Sequence, residues 1–268
     1  LNASKPLTLP VLAEKILKGG EYLITETPCA DVFTPEDFTD EQRQMGETVE
    51  QFLTAEIYPK VEEIDKQNFD IVVNGMAKCG ELGLLMMDAP EEFGGLELDK
   101  ASTMLVSEKM SQGGSFSVAF SAHTGIGTLP LVYYGTKPQK EQYLEKITSG
   151  EWCAAYCLTE PGSGSDALGA QATAVLSEDG KHYILNGTKQ FITNGGFAEL
   201  FTIFAKIDKE HFTAFLVEKS FPGLIVGPEE KKLGIKGSST TQIILDNCKV
   251  PVENLLGEKG KGHKIAFN

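Results

Sequence analysis

The sequence predicts an α+β protein, in which a helical N-terminal domain is followed by a mostly antiparallel β-barrel or sandwich domain. Two observations support this fold class. Apolar residues recur at helical spacing up to about residue 150, and short strand-like segments separated by turn residues follow. Helices first and strands second are typical of α+β proteins, so a domain boundary is expected near residue 150.

The first predicted helix is marked by its start and stop residues. Thr39 and Gln42 form a capping box ahead of apolar residues that recur at helical spacing from Met45. Proline lacks a backbone donor and clashes with the preceding turn. Pro59 is therefore expected to kink or end this helix.

Three further helices are predicted before residue 150. Asp99 is expected to cap a helix over residues 100–110. Residues 115–134 are mostly apolar and small, which indicates a buried helix. A second capping box, Thr136–Gln139, starts a helix that should stop at Gly150.

The strand-like segments are short and are separated by glycine or proline. They comprise residues 153–158, 172–176, 182–185, 200–207, 212–217 and 242–245. Asp179-Gly180 predicts a hairpin between the second and third segments, and Asn186-Gly187 predicts a further turn. Several short strands at close spacing indicate an antiparallel barrel or sandwich.

Composition excludes several classes of function. With 268 residues and 41% hydrophobic residues, the chain can bury a sizeable core. Its 24 basic and 38 acidic residues give a net charge of −14, which disfavours binding to nucleic acid or to an anionic membrane surface. Sparse cysteines and the lack of a signal-peptide pattern indicate a protein of a reducing compartment that is not secreted.

No metal site is predicted. The five cysteines include no CxxC pair, and Cys153 and Cys157, in an apolar stretch, are interpreted as buried thiols rather than as metal ligands. The four histidines are scattered without ligand spacing, which favours lone core or surface residues.

A glycine-rich segment follows the first predicted strand. Gly162, Gly164 and Ala167 match the spacing of a dinucleotide-binding fingerprint, but the hairpin that follows excludes the parallel βαβ unit which that fingerprint requires. Two interpretations stay open, an anion-binding loop suited to a pyrophosphate and a solvated turn. Glu160 and Asp166 flank the loop, and they are expected to bind its backbone amides rather than to act as an acid–base pair.

Four ordered stretches resemble the acyl-CoA dehydrogenase family. They are residues 157–169, 186–196, 234–240 and 250–257. The likeness runs from about Phe38 to the end of the chain, and residues 1–37 look most like the extension of the very-long-chain branch.

The resemblance implies a fold and an activity. Family members have a helical N-terminal domain, a middle β-domain and a C-terminal four-helix bundle, and they bind FAD. They convert an acyl-CoA to a trans-2-enoyl-CoA in fatty-acid β-oxidation, and electron-transfer flavoprotein is the usual acceptor. By this resemblance the chain comprises an extension (1–38), a helical domain (39–150), a middle β-domain (151–258) and the start of the bundle (259–268). A homo-oligomer is implied for the full-length protein, in the bacterial cytoplasm or the mitochondrial matrix.

The resemblance also assigns site residues. It places FAD contacts at Tyr156, Cys157, Leu158, Thr159, Gly164, Ser165, Phe191, Ile192 and Thr193. Thr193 would lie near the flavin N5, and Ser165 would face the flavin phosphates or the CoA side of the substrate. The family usually has Trp where this chain has Phe191, so weaker stacking on the flavin is expected.

Substrate length is a softer inference from the same likeness. The helix that closes the fatty-acyl cavity in the family corresponds to residues 115–127 here. Ala119 and Ala122 on it would admit a long chain, although small residues serve close helix packing equally well.

No residue of this chain matches the family's catalytic glutamate, which comes from the C-terminal bundle. The chain ends in what looks like the first turns of a helix, so it is expected to bind FAD poorly and to lack activity. Two alternatives stay open. One is a relative of the acyl-CoA oxidase type, and the other is a non-catalytic short form that acts as a binding or assembly module.

Overall fold

The computed structural model describes residues 20–268, and the chain forms two compact units, residues 1–43 and 44–268. The predicted extension, residues 1–38, lies within the bounds of the first unit, and its residues 1–19 lie outside the described residues. In the first unit, Glu21–Leu23, Cys29–Asp31 and Pro35–Asp37 form short 3₁₀ turns. The predicted capping box is confirmed, because the Thr39 N–H donates to Gln42 Oε1 at 3.0 Å and the Gln42 N–H donates to Thr39 Oγ1 at 3.2 Å.

The helices are α1 (Asp40–Phe52), α2 (Val61–Asp65), α3 (Phe69–Glu81), α4 (Lys100–Met110), α5 (Ser115–Ala122), α6 (Leu129–Tyr134), α7 (Lys137–Thr148) and α8 (Gly262–Ala266). Three of them, α1, α4 and α7, begin at predicted caps, whereas α3 was not predicted. The Asp99 side chain accepts from the Ser102 N–H, and Thr136 and Gln139 form the second capping box, as predicted. Pro59 lies in a 3₁₀ turn that separates α1 from α2, so the predicted break is confirmed.

The single helix predicted over residues 115–134 is wrong in one respect. A π-helical turn, His123–Gly127, separates α5 from α6. Gly127 explains this turn, because a Cβ there would lie 3.0 Å from the Ala154 Cβ on the first strand. Close packing of the turn on that strand, which the periodicity cannot show, interrupts the regular helix.

The second part of the chain forms one sheet. Its strands are β1 (Ala154–Cys157), β2 (Thr173–Leu176), β3 (His182–Thr193), β4 (Leu200–Ile207), β5 (His211–Glu218), β6 (Leu224–Glu229), β7 (Thr240–Pro251) and β8 (Leu255–Leu256). The order is β6-β7-β3-β2-β4-β5-β8, and β1 pairs with β4. The β1–β4 and β2–β4 pairs are parallel and the others antiparallel, which confirms a mostly antiparallel sheet.

The turn predicted at Asn186-Gly187 is wrong. Both residues lie inside β3, at a register shift between Leu185 and Gly187 in its pairing with β7. Gly187 has φ 150°, and a Cβ there would lie 2.7 Å from the Ala172 Cβ. The glycine therefore serves a β-bulge and a close approach of two chains rather than a chain reversal.

Three apolar clusters hold residues 44–268 together. One lies among α3, α4 and α5 and includes Met76, Phe116 and Phe120. Another lies within the sheet region. The third joins α6 and α7 to β1, β4 and β5, with Leu144 and Phe204 among its members, so helices cover part of the sheet.

Candidate functional site

The end of β1 carries the first group of predicted site residues. Tyr156 is half-buried, and its hydroxyl donates to the carbonyl of Ala266 at 3.2 Å. Cys157 is fully buried, and this burial raises the pKa of its thiol. A thiol held protonated in the core is no nucleophile, so Cys157 can only serve the site through its backbone and its packing.

Cys153, which directly precedes β1, resembles Cys157 in its burial. This burial raises the pKa of its thiol to about 12. The interpretation of both residues as buried free thiols is confirmed. Among residues 20–268, no group of three His, Cys, Asp or Glu side chains could hold a metal ion.

The glycine-rich loop folds as a tight turn. The backbones of Glu160 and Ser163 exchange two hydrogen bonds, at 3.0 and 3.1 Å, and the Ser163 hydroxyl donates to the Asp166 carbonyl at 2.6 Å. Gly162 and Gly164 are exposed, and a Cβ at either would meet no other described atom within 4 Å. This open backbone surface can accept a phosphate group.

The two carboxylates that flank the loop are engaged with it, as expected. Glu160 accepts from the backbone N–H groups of Gln171 at 2.6 Å and Ala172 at 3.1 Å. Asp166 accepts from the Gly169 N–H at 3.1 Å. Both carboxylates thus bind backbone amides of the loop or of the segment that follows it.

A bulge in β3 presents the second group of predicted site residues. The register with β7 shifts between Lys189 and Ile192, and Phe191 adopts φ 59°. Phe191 is 61% exposed, whereas Ile192 is 2% exposed. The bulge therefore turns the aromatic ring outward while the next side chain stays in the core, which suits stacking on a flat ligand.

The two groups lie side by side in the structure. Lys189 Nζ donates to the Leu158 carbonyl at 3.2 Å, and the Gln190 N–H donates to the Thr159 carbonyl at 2.8 Å. These bonds join residues that are 31 positions apart in the chain. The tertiary structure thus brings together two segments that the sequence analysis could relate only through a family resemblance.

Three hydroxyls at this junction are free. Thr159 and Thr193 are half-buried and Ser165 is exposed. Within the described residues their hydroxyls make no hydrogen bond, although other threonines in the sheet region, such as Thr213, bond to the backbone. Free hydroxyls beside an exposed aromatic ring and an open glycine-rich loop fit the polar groups of a flavin dinucleotide.

Asn194 ties this junction to the helices. It has φ 64° and is fully buried, and its Nδ2 donates to the carbonyl of Ala119 at 3.0 Å and to that of Ala154 at 3.3 Å. Ala119 is itself fully buried in the helical core, whereas Ala122 is half-buried. Close packing accounts for Ala119, and the more exposed Ala122 is the better candidate to face a ligand.

An apolar groove of about 160 Å³ adjoins the site at Tyr156. Its walls are Gly125, Ile126, Leu129, Pro130, Tyr133, Tyr134, Tyr156, Ile265, Ala266 and Asn268. A larger surface pocket of about 500 Å³, lined in part by Glu92, Lys140 and Glu141, shares no residue with the predicted site. The groove is therefore the cavity next to the predicted chemistry.

Two residues of this region, Lys189 and His123, were not among the predicted site residues. Lys189 is a buried lysine in a strand, and no local signal marks its burial, because regular alternation would place it on the same face as the exposed Phe191. His123 was read only as one of several lone histidines, and the structure places it in the core. It bridges the Ala154 N–H at 3.0 Å and the Ile147 carbonyl at 2.9 Å.

Comparison with known proteins agrees with this geometry. The acyl-CoA dehydrogenase N-terminal domain matches residues 39–151, and the middle domain of the same family matches residues 155–248. A probable acyl-CoA dehydrogenase of Bacillus subtilis (strain 168) is 55% identical over 256 residues, which are 96% of this chain and 43% of that protein. The very long-chain specific mitochondrial acyl-CoA dehydrogenase of Macaca fascicularis is 39% identical over 280 residues, 100% of this chain and 42% of that protein.

A solved structure gives the same result. The acyl-CoA dehydrogenase of Bacillus anthracis, complexed with FAD, superposes with a TM-score of 0.91 at 53% identity, covering 94% of this chain and 43% of that one. The chain thus spans less than half the length of these relatives. Within the described residues, no helix is long and apolar enough to cross a membrane. The matched domains, the identities and the shared fold show that this chain belongs to the acyl-CoA dehydrogenase family, whose members depend on FAD.

Proposed function

We propose that residues 156–165 and 191–193 form the FAD-contacting part of an enzyme that dehydrogenates long-chain acyl-CoA to trans-2-enoyl-CoA in fatty-acid β-oxidation. One observation carries the proposal. The glycine-rich loop and the β3 bulge, far apart in sequence, meet through the Lys189 and Gln190 bonds and leave three hydroxyls and one aromatic face free.

Each part of the junction has its own task in this proposal. The exposed Phe191 ring supports one face of the isoalloxazine, and the Thr159 and Thr193 hydroxyls are hydrogen-bond partners for its polar edge. Gly164 and Ser165, exposed on the open loop, bind a phosphate of the dinucleotide or of the CoA. FAD, when bound, supplies the hydride acceptor for the reaction.

The base that removes the substrate's α-proton is proposed to lie outside these 268 residues. The buried carboxylate nearest to the loop, Glu160, already binds Lys189 Nζ at 2.7 Å and two backbone N–H groups. A carboxylate so engaged is held ionised as a structural group and does not face a ligand. We therefore expect the chain as given to lack dehydrogenase activity.

The preference for a long acyl chain is supported by the likeness to a very long-chain specific relative and by the apolar groove beside Tyr156. A substitution of Ala122 tests this preference. In the full product of the gene, Ala122→Phe should lower kcat/KM for palmitoyl-CoA far more than for butyryl-CoA. Met104→Phe, at an exposed residue of α4, is the control. An equal effect on both substrates would contradict the cavity role.

Electrons are proposed to pass to electron-transfer flavoprotein, and the enzyme is proposed to act as a homo-oligomer in the bacterial cytoplasm or mitochondrial matrix. An enzyme of the acyl-CoA oxidase type is the alternative. The two differ in how the reduced enzyme reacts with oxygen. Slow reoxidation in air together with fast reoxidation by electron-transfer flavoprotein supports a dehydrogenase, and the reverse supports an oxidase.

The deciding experiment compares two proteins, the 268-residue chain and the full product of the gene that encodes it. Each is mixed anaerobically with FAD and then with palmitoyl-CoA, while the visible flavin band is recorded. Bleaching in the full product alone supports the proposal. Bleaching in the 268-residue chain would place the base within it, and a full product that retains no flavin would overturn the proposed cofactor.

A further inference from the structure

A buried ion pair lies directly behind the proposed flavin-contacting loop. Lys189 is 0% exposed and Glu160 6% exposed, and Lys189 Nζ donates to Glu160 Oε1 at 2.7 Å. An ion pair withdrawn from water loses much solvation free energy, so it is a poor way to gain stability. Its presence calls for another explanation.

The backbone geometry supplies one. Strand β1 ends at Cys157, so Leu158 and Thr159 leave the sheet ladder. Their carbonyls find partners only on β3 among the described residues, at Lys189 Nζ (3.2 Å) and at the Gln190 N–H (2.8 Å). These two bonds attach the backbone carbonyls of the segment that carries the proposed flavin contacts to β3.

Glu160 completes the arrangement. Besides Lys189, it accepts from the backbone N–H groups of Gln171 and Ala172, which begin the approach to β2. Burial raises the pKa of Glu160, but the Lys189 hydrogen bond and those backbone donors outweigh it, so the pKa lies below its usual value. The carboxylate therefore stays ionised and fixes the lysine ammonium in place.

We infer that Lys189 and Glu160 are positioning residues for the flavin, a clamp that sets the Leu158–Thr159 peptide and polarises it. This inference rests on the proposed flavin site. Lys189 Nζ binds the carbonyl of the same peptide whose N–H belongs to Thr159. A cation on the carbonyl draws electron density from the peptide and makes that N–H a stronger donor. The clamp thus acts on both the position and the polarity of the loop.

The bulge of β3 supports this role. The register shift between Lys189 and Ile192 turns Lys189 fully inward and Phe191 outward, although they are only two residues apart. The same distortion thus aims the ammonium at the loop and the aromatic ring at the proposed ligand. Both effects serve the same site, which an ion pair needed for stability alone would not require.

The test uses the holoenzyme, the full product of the gene loaded with FAD. The central variant is the double change Lys189→Met with Glu160→Gln, because it removes both charges and leaves no unpaired buried ion. The control is Asn254→Leu, which also removes a buried donor from two acceptors, the Tyr143 hydroxyl and the Leu216 carbonyl, both at 2.8 Å. Thermal unfolding, the FAD dissociation constant and the flavin reduction potential are measured for each protein.

The double variant is expected to raise the FAD dissociation constant about tenfold, the effect of losing one hydrogen bond from a charged donor. The clamp directs the polarised Thr159 N–H at the flavin. Without it this N–H is a weaker donor to the reduced flavin, so the bound flavin of the double variant should have a more negative reduction potential. Asn254→Leu should lower the unfolding temperature with less than about a twofold change in the dissociation constant. The single variant Glu160→Gln removes the carboxylate that fixes the buried lysine, so it should also raise the FAD dissociation constant.

The outcomes separate this inference from the proposed function. If the full wild-type product of the gene retains no flavin, both the inference and the proposed function are overturned. A wild-type enzyme that binds FAD, with a double variant whose affinity and potential equal those of the wild type, overturns the clamp alone. The same holds if Asn254→Leu changes affinity as much as the double variant, because the effect would then follow from stability.

Discussion

The helix starts in the helical region, residues 44–150, and the candidate site in the strand region, residues 151–258, depend on interactions of different range. A helix start is fixed by a neighbouring side chain, as where Asp99 accepts from the Ser102 N–H three residues on. In the strand region, Lys189 binds Glu160 across 29 residues, and Asn194 reaches Ala119 across 75. The comparison teaches that secondary structure in this protein is locally encoded, whereas the candidate site depends on distant partners.

The largest expected effect comes from breaking the long-range ion pair. Lys189→Met leaves the Glu160 carboxylate buried without its cation and should lower the free energy of unfolding by about 3–5 kcal/mol, measured by urea denaturation. The double variant Lys189→Met with Glu160→Gln should lose much less. Equal losses in the two would mean that the charges of this pair do not interact strongly in the folded protein.

A second test concerns His123, which joins the two regions. Burial lowers the pKa of the imidazole from its usual 6.5 to about 4, a change that its hydrogen bond to the Ile147 carbonyl only partly opposes. The unfolded chain therefore binds the proton more readily. The contribution of neutral His123 to the free energy of unfolding is fully present above pH 6.5. About 3 kcal/mol of that free energy is lost as the pH falls from 6.5 to 4.

Urea denaturation across that range measures this loss. His123→Gln should remove that part of the pH dependence, at the cost of lower stability at pH 7, because glutamine cannot titrate. His182→Gln, in a half-buried strand position, is the control and should keep the slope. An unchanged slope in His123→Gln would assign the acid sensitivity to other groups.

A local interaction should give a smaller and purely structural effect. Thr136 caps α7, and Gln139 returns a hydrogen bond to the Thr136 N–H at 2.9 Å. Thr136→Ala should lower the free energy of unfolding by about 1 kcal/mol without changing the FAD affinity of the holoenzyme. A marked loss of FAD affinity would show that the helical region and the site are more strongly coupled than their contacts indicate.

The smallest expected effect has the opposite sign. Phe191 holds φ 59°, a left-handed conformation that costs a bulky residue about 1–2 kcal/mol and a glycine little. The greater backbone entropy that glycine loses on folding offsets part of this gain. Phe191→Gly should therefore raise the free energy of unfolding by about 0.5 kcal/mol, and it should weaken FAD binding. Ile235→Gly, at φ 51° away from the junction, should stabilise without that loss. Equal FAD affinity in both variants would argue against a stacking role for Phe191.

The structural features predicted best from the sequence were those that depend on residues close together in the chain. The two capping boxes, the Asp99 cap and the bounds of β4 all agree with the structure, because each depends on residues within a few positions. Asn186-Gly187 was predicted wrongly for the same reason. A turn and a bulge use the same residues, and only the neighbouring Ala172 decides between them.

The sequence predicts the candidate site as two separate segments, which only the family resemblance relates to each other. Spacing alone left the glycine-rich loop open between an anion site and a solvated turn, since both need glycine and exposed backbone. The role of Lys189 had no local signal, because a lysine in a strand normally faces solvent. The four-segment division of the chain and the individual flavin contacts stay predictions.

The capped helix starts, the bounds of β4 and family membership thus follow from the order of the residues, since propensity, capping and motif spacing act over short distances. The pairing of β1 with β4, the bulge that exposes Phe191 and the burial of Lys189 against Glu160 were decided by the tertiary structure. The physical reason is that register and burial depend on which distant surface covers a residue. That surface is formed by residues distant in the sequence, so it exists only in the folded chain.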